Sequence, residues 1–169
     1  MRLKAHETMV MVIDFQERLM PVIADHNAVL ARARLLLEGL NLLRIPMLVT
    51  RQYPKGLGDT VPIIREMTGG APVLDKIRFG ACEDPAILEA VRAMDRKNVI
   101  LCGAEAHICV LQTAIGLQAA GFQAVLTEDC VGSRQERDRK TGLKRAMQEG
   151  ALLTSCEAVL FELLGAAGT

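Results

Sequence analysis

The chain has 169 residues, 50% hydrophobic and 24% charged, with a mean hydropathy of +0.23. That length suits one domain over residues 1–169 with a sizeable core, and the composition excludes disorder. Twenty basic residues balance twenty acidic ones and only five residues are aromatic, so no nucleic-acid partner is expected.

The N-terminal stretch carries too many charges for a secretory leader, and no apolar run reaches the roughly 18 residues of a membrane span. No membrane partner is expected. Five cysteines without a CxxC motif fit a reducing compartment, which predicts a cytoplasmic protein.

In chain order, residues 9–13 form a short, continuously apolar run that reads as a strand buried on both faces. Asn27 is placed to cap a helix reaching about residue 44, with Leu30, Ala33, Leu37 and Leu40 on one face. Strands follow at 46–50 and 73–75, and Asp84-Pro85 opens a helix to about residue 94. A strand at 99–102 precedes a helical pattern over 110–120, which Gly121 ends. After a strand at 124–127, Ser133 and Glu136 have capping-box spacing, and Gly150 marks the end of that helix. The last strand covers 151–154, and Thr154 and Glu157 repeat the capping-box spacing.

Strands alternating with helices predict an α/β fold, a doubly wound three-layer α/β/α sandwich on a six-stranded, mostly parallel sheet. With Rossmann-like order 3-2-1-4-5-6, ligands bind beyond the carboxyl ends of the strands, where the order reverses. The turn after the first strand lacks the glycine fingerprint, and neither a Walker loop nor a GxSxG elbow is present. The three histidines are scattered without zinc spacing, so neither a metal nor a cofactor is expected.

Three strand ends carry chemistry. Asp14 directly follows the first strand, Lys76 follows the third, and Cys109 lies beyond the fourth in Gly103-Ala-Glu-Ala-His-Ile-Cys-Val. Cys109 precedes a helical segment, where amide donors and the macrodipole favour a thiolate and lower the thiol pKa. A carboxylate, a cation and a thiol brought together form a nucleophile-activating set.

These residues resemble the isochorismatase-like cysteine hydrolases along nearly the whole chain. The resemblance rests on Val12-Ile-Asp-Phe-Gln16, Leu74-Asp-Lys76 and the Gly-x-Glu-x-His-x-Cys-Val segment ending at Val110. The segment over 50–60 looks like the subgroup called isochorismatase domain-containing proteins. The resemblance implies a catalytic triad of Asp14, Lys76 and Cys109, and a cis peptide between Ala104 and Glu105. It also implies an oxyanion hole from the backbone amides of Glu105 and Cys109, and a homo-oligomer. Nicotinamidases of the family place an Asp-x-His pair after the second strand, whereas here the segment reads Thr50-Arg-Gln-Tyr-Pro. Metal and nicotinamide are therefore not expected, and the cysteine favours C–N hydrolysis over ether cleavage.

Phe15, Gln16, Gln52, Tyr53, Phe79 and His107 neighbour the triad in sequence and are the candidates for binding a small-molecule substrate. The glycines of the 51–60 segment suit a lid, and the charged run 134–140 reads as a solvated helix face. Two other readings share these residues: a scaffold protein without turnover, and a thiol redox sensor in which Cys102 or Cys130 resolves Cys109.

Overall fold

The structure, a computed structural model, describes residues 1–168. Six strands form one all-parallel sheet in the order β3-β2-β1-β4-β5-β6. They are β1 (Thr8–Ile13), β2 (Met47–Gln52), β3 (Val73–Lys76), β4 (Asn98–Ala104), β5 (Gln123–Gly132) and β6 (Leu152–Thr154). The helices are α1 (His26–Leu42), α2 (Pro54–Leu57), α3 (Pro62–Met67), α4 (Pro85–Ala93), α5 (Leu111–Ala119), α6 (Glu136–Gln148) and α7 (Cys156–Leu164). A π-helical turn, Ala106–Val110, leads into α5.

Strand side chains alternate between two cores, as a period of two requires. Val10 and Val12 of β1 pack with Val49, Ile100 and Val125 under α1, α3 and α7. Met9, Met11 and Ile13 pack with Leu48, Leu101 and Leu126 under α4, α5 and α6. Both sheet faces are thus covered at its centre, which is why all six residues of β1 are buried and residues 9–13 read as an unbroken apolar run.

Helix ends show where local signals prevail. Asp84 caps α4 by accepting from Ala86 N at 3.0 Å, as its sequence predicts. Gly121 and Gly150 take positive φ just past α5 and α6. Three caps differ from expectation. Asp25, in the left-handed region, precedes α1, so Asn27 lies inside the first turn. Ser155, one residue after Thr154, caps α7 by accepting from Ala158 N at 3.3 Å. Gln135 precedes α6, because Ser133 is engaged with His107.

Candidate active site

The switch point of the sheet brings β1 and β4 side by side, and one glycine permits it. Gly103 pairs with Ile13 at a φ of +141°. A Cβ on it would lie 2.0 Å from the Ile13 carbonyl oxygen, so no larger residue fits there without moving the strand ends apart. Immediately beyond them lie Asp14 and the Ala104–Glu105 peptide, which is cis. Asp14 itself takes a φ of +53°, a conformation that aspartate tolerates better than most residues.

Strand pairing delivers the cation. Lys76 ends β3 in register with Gln52 of β2. Its Nζ donates to Gln52 Oε1 at 2.6 Å and to the Phe79 carbonyl at 3.0 Å, and lies 2.7 Å from Asp14 Oδ2. Both charged side chains of this pair are 0% exposed. Asp14 Oδ1 accepts from the Thr50 hydroxyl at 2.8 Å, while Oδ2 receives no aligned hydrogen bond. The Cys109 thiol, on the π-helical turn, is buried where the charges of both Asp14 and Lys76 act on it.

That thiol is pushed up to about 12, chiefly by burial and next by the negative charge of Asp14, which Lys76 only partly offsets. The lowered thiol pKa expected from a helix start is therefore overturned. A helix end contributes a partial charge, whereas desolvation and a full carboxylate act on the sulfur directly. The resting group is a neutral thiol beside an ion pair.

A cavity of about 90 Å³ opens onto Cys109, lined also by Leu19, Gln52, Leu57, Phe79, Glu105 and Ile108. Of the six binding candidates, Gln52 and Phe79 line it. Phe15 is 1% exposed and packs into the α1-side core, because the chain after Asp14 turns inward. Tyr53 is 52% exposed, with its ring against Gly56. His107 meets Ser133 Oγ through Nδ1 at 2.9 Å and packs closely on Gly142 of α6, supporting the turn from behind.

Gln16 is a clamp. Its Nε2 donates to the carbonyls of Gln52 and Gly58, both at 2.9 Å, and its Oε1 accepts from Gln52 N at 2.7 Å. Arg18 adds a bond to the Gly56 carbonyl at 2.9 Å, and Glu17 N donates to Asp59 O at 3.0 Å. These bonds tie the 51–60 segment to the end of β1, and the segment presents Leu57 to the cavity. Sequence reasoning missed Leu19, Leu57, Ile108 and Thr50. Thr50 alone had a signal, as a polar residue ending an apolar strand beside Asp14.

Two further corrections concern charge and sulfur. Arg134, read as part of a solvated face, pairs with the buried Glu105 carboxylate through its backbone N at 2.9 Å and its Nε at 3.1 Å. Cys102 and Cys130 belong to the core on the α1 side, whereas Cys109 belongs to the opposite core. The sheet separates those two candidate resolving thiols from Cys109. Among the described residues, no group of three or more His, Cys, Asp or Glu is placed to hold a metal ion, and no helix is long and apolar enough to cross a membrane.

Comparison with known proteins agrees with this architecture. The family model "Isochorismatase domain" matches residues 8–158. Isochorismatase domain-containing protein 1 of Salmo salar is 36% identical over 152 residues, covering 90% of this chain and 53% of that protein. The chain thus spans about half the length of that relative. A solved structure of MAR1 ribonuclease from Caenorhabditis elegans is 36% identical, with a TM-score of 0.93, covering 99% of this chain and 86% of that one. The YcaC gene product of Escherichia coli, described as an octameric hydrolase of unknown specificity, shares the fold at 24% identity and a TM-score of 0.93, covering 98% and 83%. The chain belongs to the isochorismatase family and has its hydrolase fold.

Proposed function

We propose that this member of the isochorismatase family is a metal-independent cysteine hydrolase. It cleaves the C–N bond of a small amide through a thioacyl-enzyme intermediate, with Asp14, Lys76 and Cys109 as the catalytic residues. The observation that carries the reading is a thiol that lines a cavity and lies within the influence of both members of a fully buried ion pair.

Because the resting thiol is neutral, proton removal accompanies attack. Asp14 Oδ2 is the oxygen with no aligned hydrogen bond, so it takes the Cys109 proton as sulfur attacks the carbonyl carbon. Lys76, held in place by Gln52 and the Phe79 carbonyl, stays beside the sulfur as the negative charge passes from Asp14 to the substrate oxygen. Backbone amides of Glu105 and Cys109 receive the developing oxyanion. The C–N bond breaks, the amine leaves with the proton from Asp14, and water, deprotonated by Asp14, hydrolyses the thioester to the acid and restores the thiol.

A second reading, phosphodiester cleavage, comes from the C. elegans neighbour, which is named a ribonuclease. Zero net charge and a neutralised site favour the amide. Self-association is part of the same proposal. The E. coli neighbour is described as octameric, and Leu42 and Phe161 stand exposed on the α1–α7 face of this chain.

The test is ammonia release from a panel of amides, with RNA cleavage in parallel, for wild type and Cys109→Ser. Amide turnover that falls at least about 10³-fold in the variant, with RNA left intact, is expected. Turnover unchanged in Cys109→Ser, or RNA cleavage alone, overturns the reading. Sedimentation of the wild type reads the assembly state, and a monomer at micromolar concentration overturns self-association.

A further inference from the structure

The walls and charges of the cavity bear on its substrate. Leu19, Leu57, Phe79 and Ile108 give it apolar sides, and Gln52 and Glu105 are its polar lining residues besides Cys109. Every charge at the site is matched. Lys76 is spent on Asp14, Gln52 and Phe79, and the Glu105 carboxylate is spent on Arg134. Two cations and two anions cancel, and Gln52 has its Oε1 on Lys76 and its Nε2 on the Ile77 carbonyl at 2.7 Å. A charged group brought onto the apolar walls would lose water without gaining a counter-ion.

Size adds a second limit. An apolar cavity of about 150 Å³ holds benzene, so by proportion this site takes an arm of about three to four heavy atoms. The wall that sets this limit is fixed: Gln16 and Arg18 tie down the segment bearing Leu57, and Ile108 rides on the turn anchored by its own N–H to the Glu105 carbonyl at 3.1 Å.

We infer that the cavity admits uncharged carbonyl compounds with a short aliphatic arm, and that Leu57 and Ile108 determine the length accepted. The inference rests on Cys109 as the nucleophile of the proposed reaction.

Two readouts test it on the full chain. The first is the rate of Cys109 alkylation by iodoacetamide and by iodoacetate, resolved by peptide mapping and divided by the same ratio for N-acetylcysteine. The neutral reagent is expected to be favoured at least about 30-fold after that correction. The second is kcat/KM for propionamide, butyramide, hexanamide, succinamate and β-alaninamide. The optimum is expected at propionamide or butyramide, with hexanamide at least about 10-fold lower. The two charged amides are expected at least about 100-fold lower. Ile108→Ala or Leu57→Ala is expected to move the optimum to longer amides.

A corrected alkylation ratio below about 3, or charged amides within about threefold of butyramide, overturns the inference while leaving the nucleophile in place. A high ratio without turnover of any amide supports the inference and overturns the amide reaction. Absence of Cys109 alkylation by either reagent up to pH 10, with the other thiols labelled after unfolding, overturns both.

Discussion

The ends of β2 and β3 carry two sets of ion pairs one residue apart, and the contrast between them shows what makes a site. In register, Arg51 faces Asp75 and Gln52 faces Lys76. On one face, Arg51 Nε meets Asp75 at 2.7 Å and its terminal nitrogen meets Asp59 at 2.8 Å, with Arg65 closing on Asp59 at 3.1 Å. On the other, Lys76 meets Asp14 at 2.7 Å. The distances are alike. Asp59 and Asp75 are 41% and 49% exposed, whereas Asp14 and Lys76 are wholly buried. Distance therefore does not distinguish the two sets, and burial does. Water screens the first set at every moment, but the second is held by protein dipoles alone.

The sharpest way to break that contrast is to remove one cation from each face. Lys76→Met leaves Asp14 as a buried, uncompensated carboxylate, and a loss of about 3–5 kcal/mol in unfolding free energy is expected. Arg51→Met is expected to lose no more than about 1 kcal/mol. Denaturant titration measures both. Adding Asp14→Asn to Lys76→Met is expected to return part of the loss, since the pair is coupled. Equal losses for the two single variants would mean that burial does not separate the faces.

Gln52→Leu is the intermediate case. It keeps the volume but deprives Lys76 of its 2.6 Å acceptor and the Ile77 carbonyl of its donor. A loss of about 1–3 kcal/mol is expected. Thermal or denaturant unfolding at neutral pH, beside a solvated control such as Gln148→Leu, checks it.

The thiol provides a smaller and more diagnostic effect. Asp14 raises the Cys109 pKa through its charge and its hydrogen bond. Asp14→Asn removes both influences, so the thiol pKa falls while burial still holds it up. Alkylation of Cys109 by iodoacetamide at pH 8 is then expected to speed up by about 10-fold, one pKa unit of relief, as amide turnover is lost. Slower alkylation in the variant would overturn this charge effect and show that Asp14 acts on the thiol mainly as a base.

The skeleton of this site was legible in the sequence because strand ends are. Short apolar runs place Asp14 and Cys109 beyond β1 and β4 and Lys76 at the end of β3, and parallel α/β connectivity brings those ends to one edge. Cavity walls are different. Leu19, Leu57 and Ile108 are isolated apolar residues in turns, and periodicity carries no signal for a single side chain. Phe15 was misread for the matching reason: adjacency to Asp14 in sequence says nothing about which core it enters. The direction of the Cys109 shift was not legible, because desolvation depends on everything packed around the sulfur. Short α2 and α3 each start at a proline that also suits a turn, so their local signals were ambiguous.

The smallest effect belongs to the exposed face and runs with pH. Hydrogen bonding to Arg51 and to the Thr60 amide holds the Asp59 carboxyl below its ordinary range. A depressed carboxyl stabilises the fold above its unfolded pKa of about 4, and that stability drains away as pH falls through the lower folded value. Because Asp59 is 41% exposed and solvent-screened, the contribution is expected to stay below about 1 kcal/mol. Comparing wild type with Asp59→Asn by denaturant unfolding at pH 7 and pH 3 reads it directly. The variant is expected to be less stable at pH 7 by no more than that amount, and the difference is expected to shrink at pH 3 and in high salt. A difference that persisted at low pH and 1 M salt would mean that Asp59 acts through packing of the 53–60 wall rather than through charge.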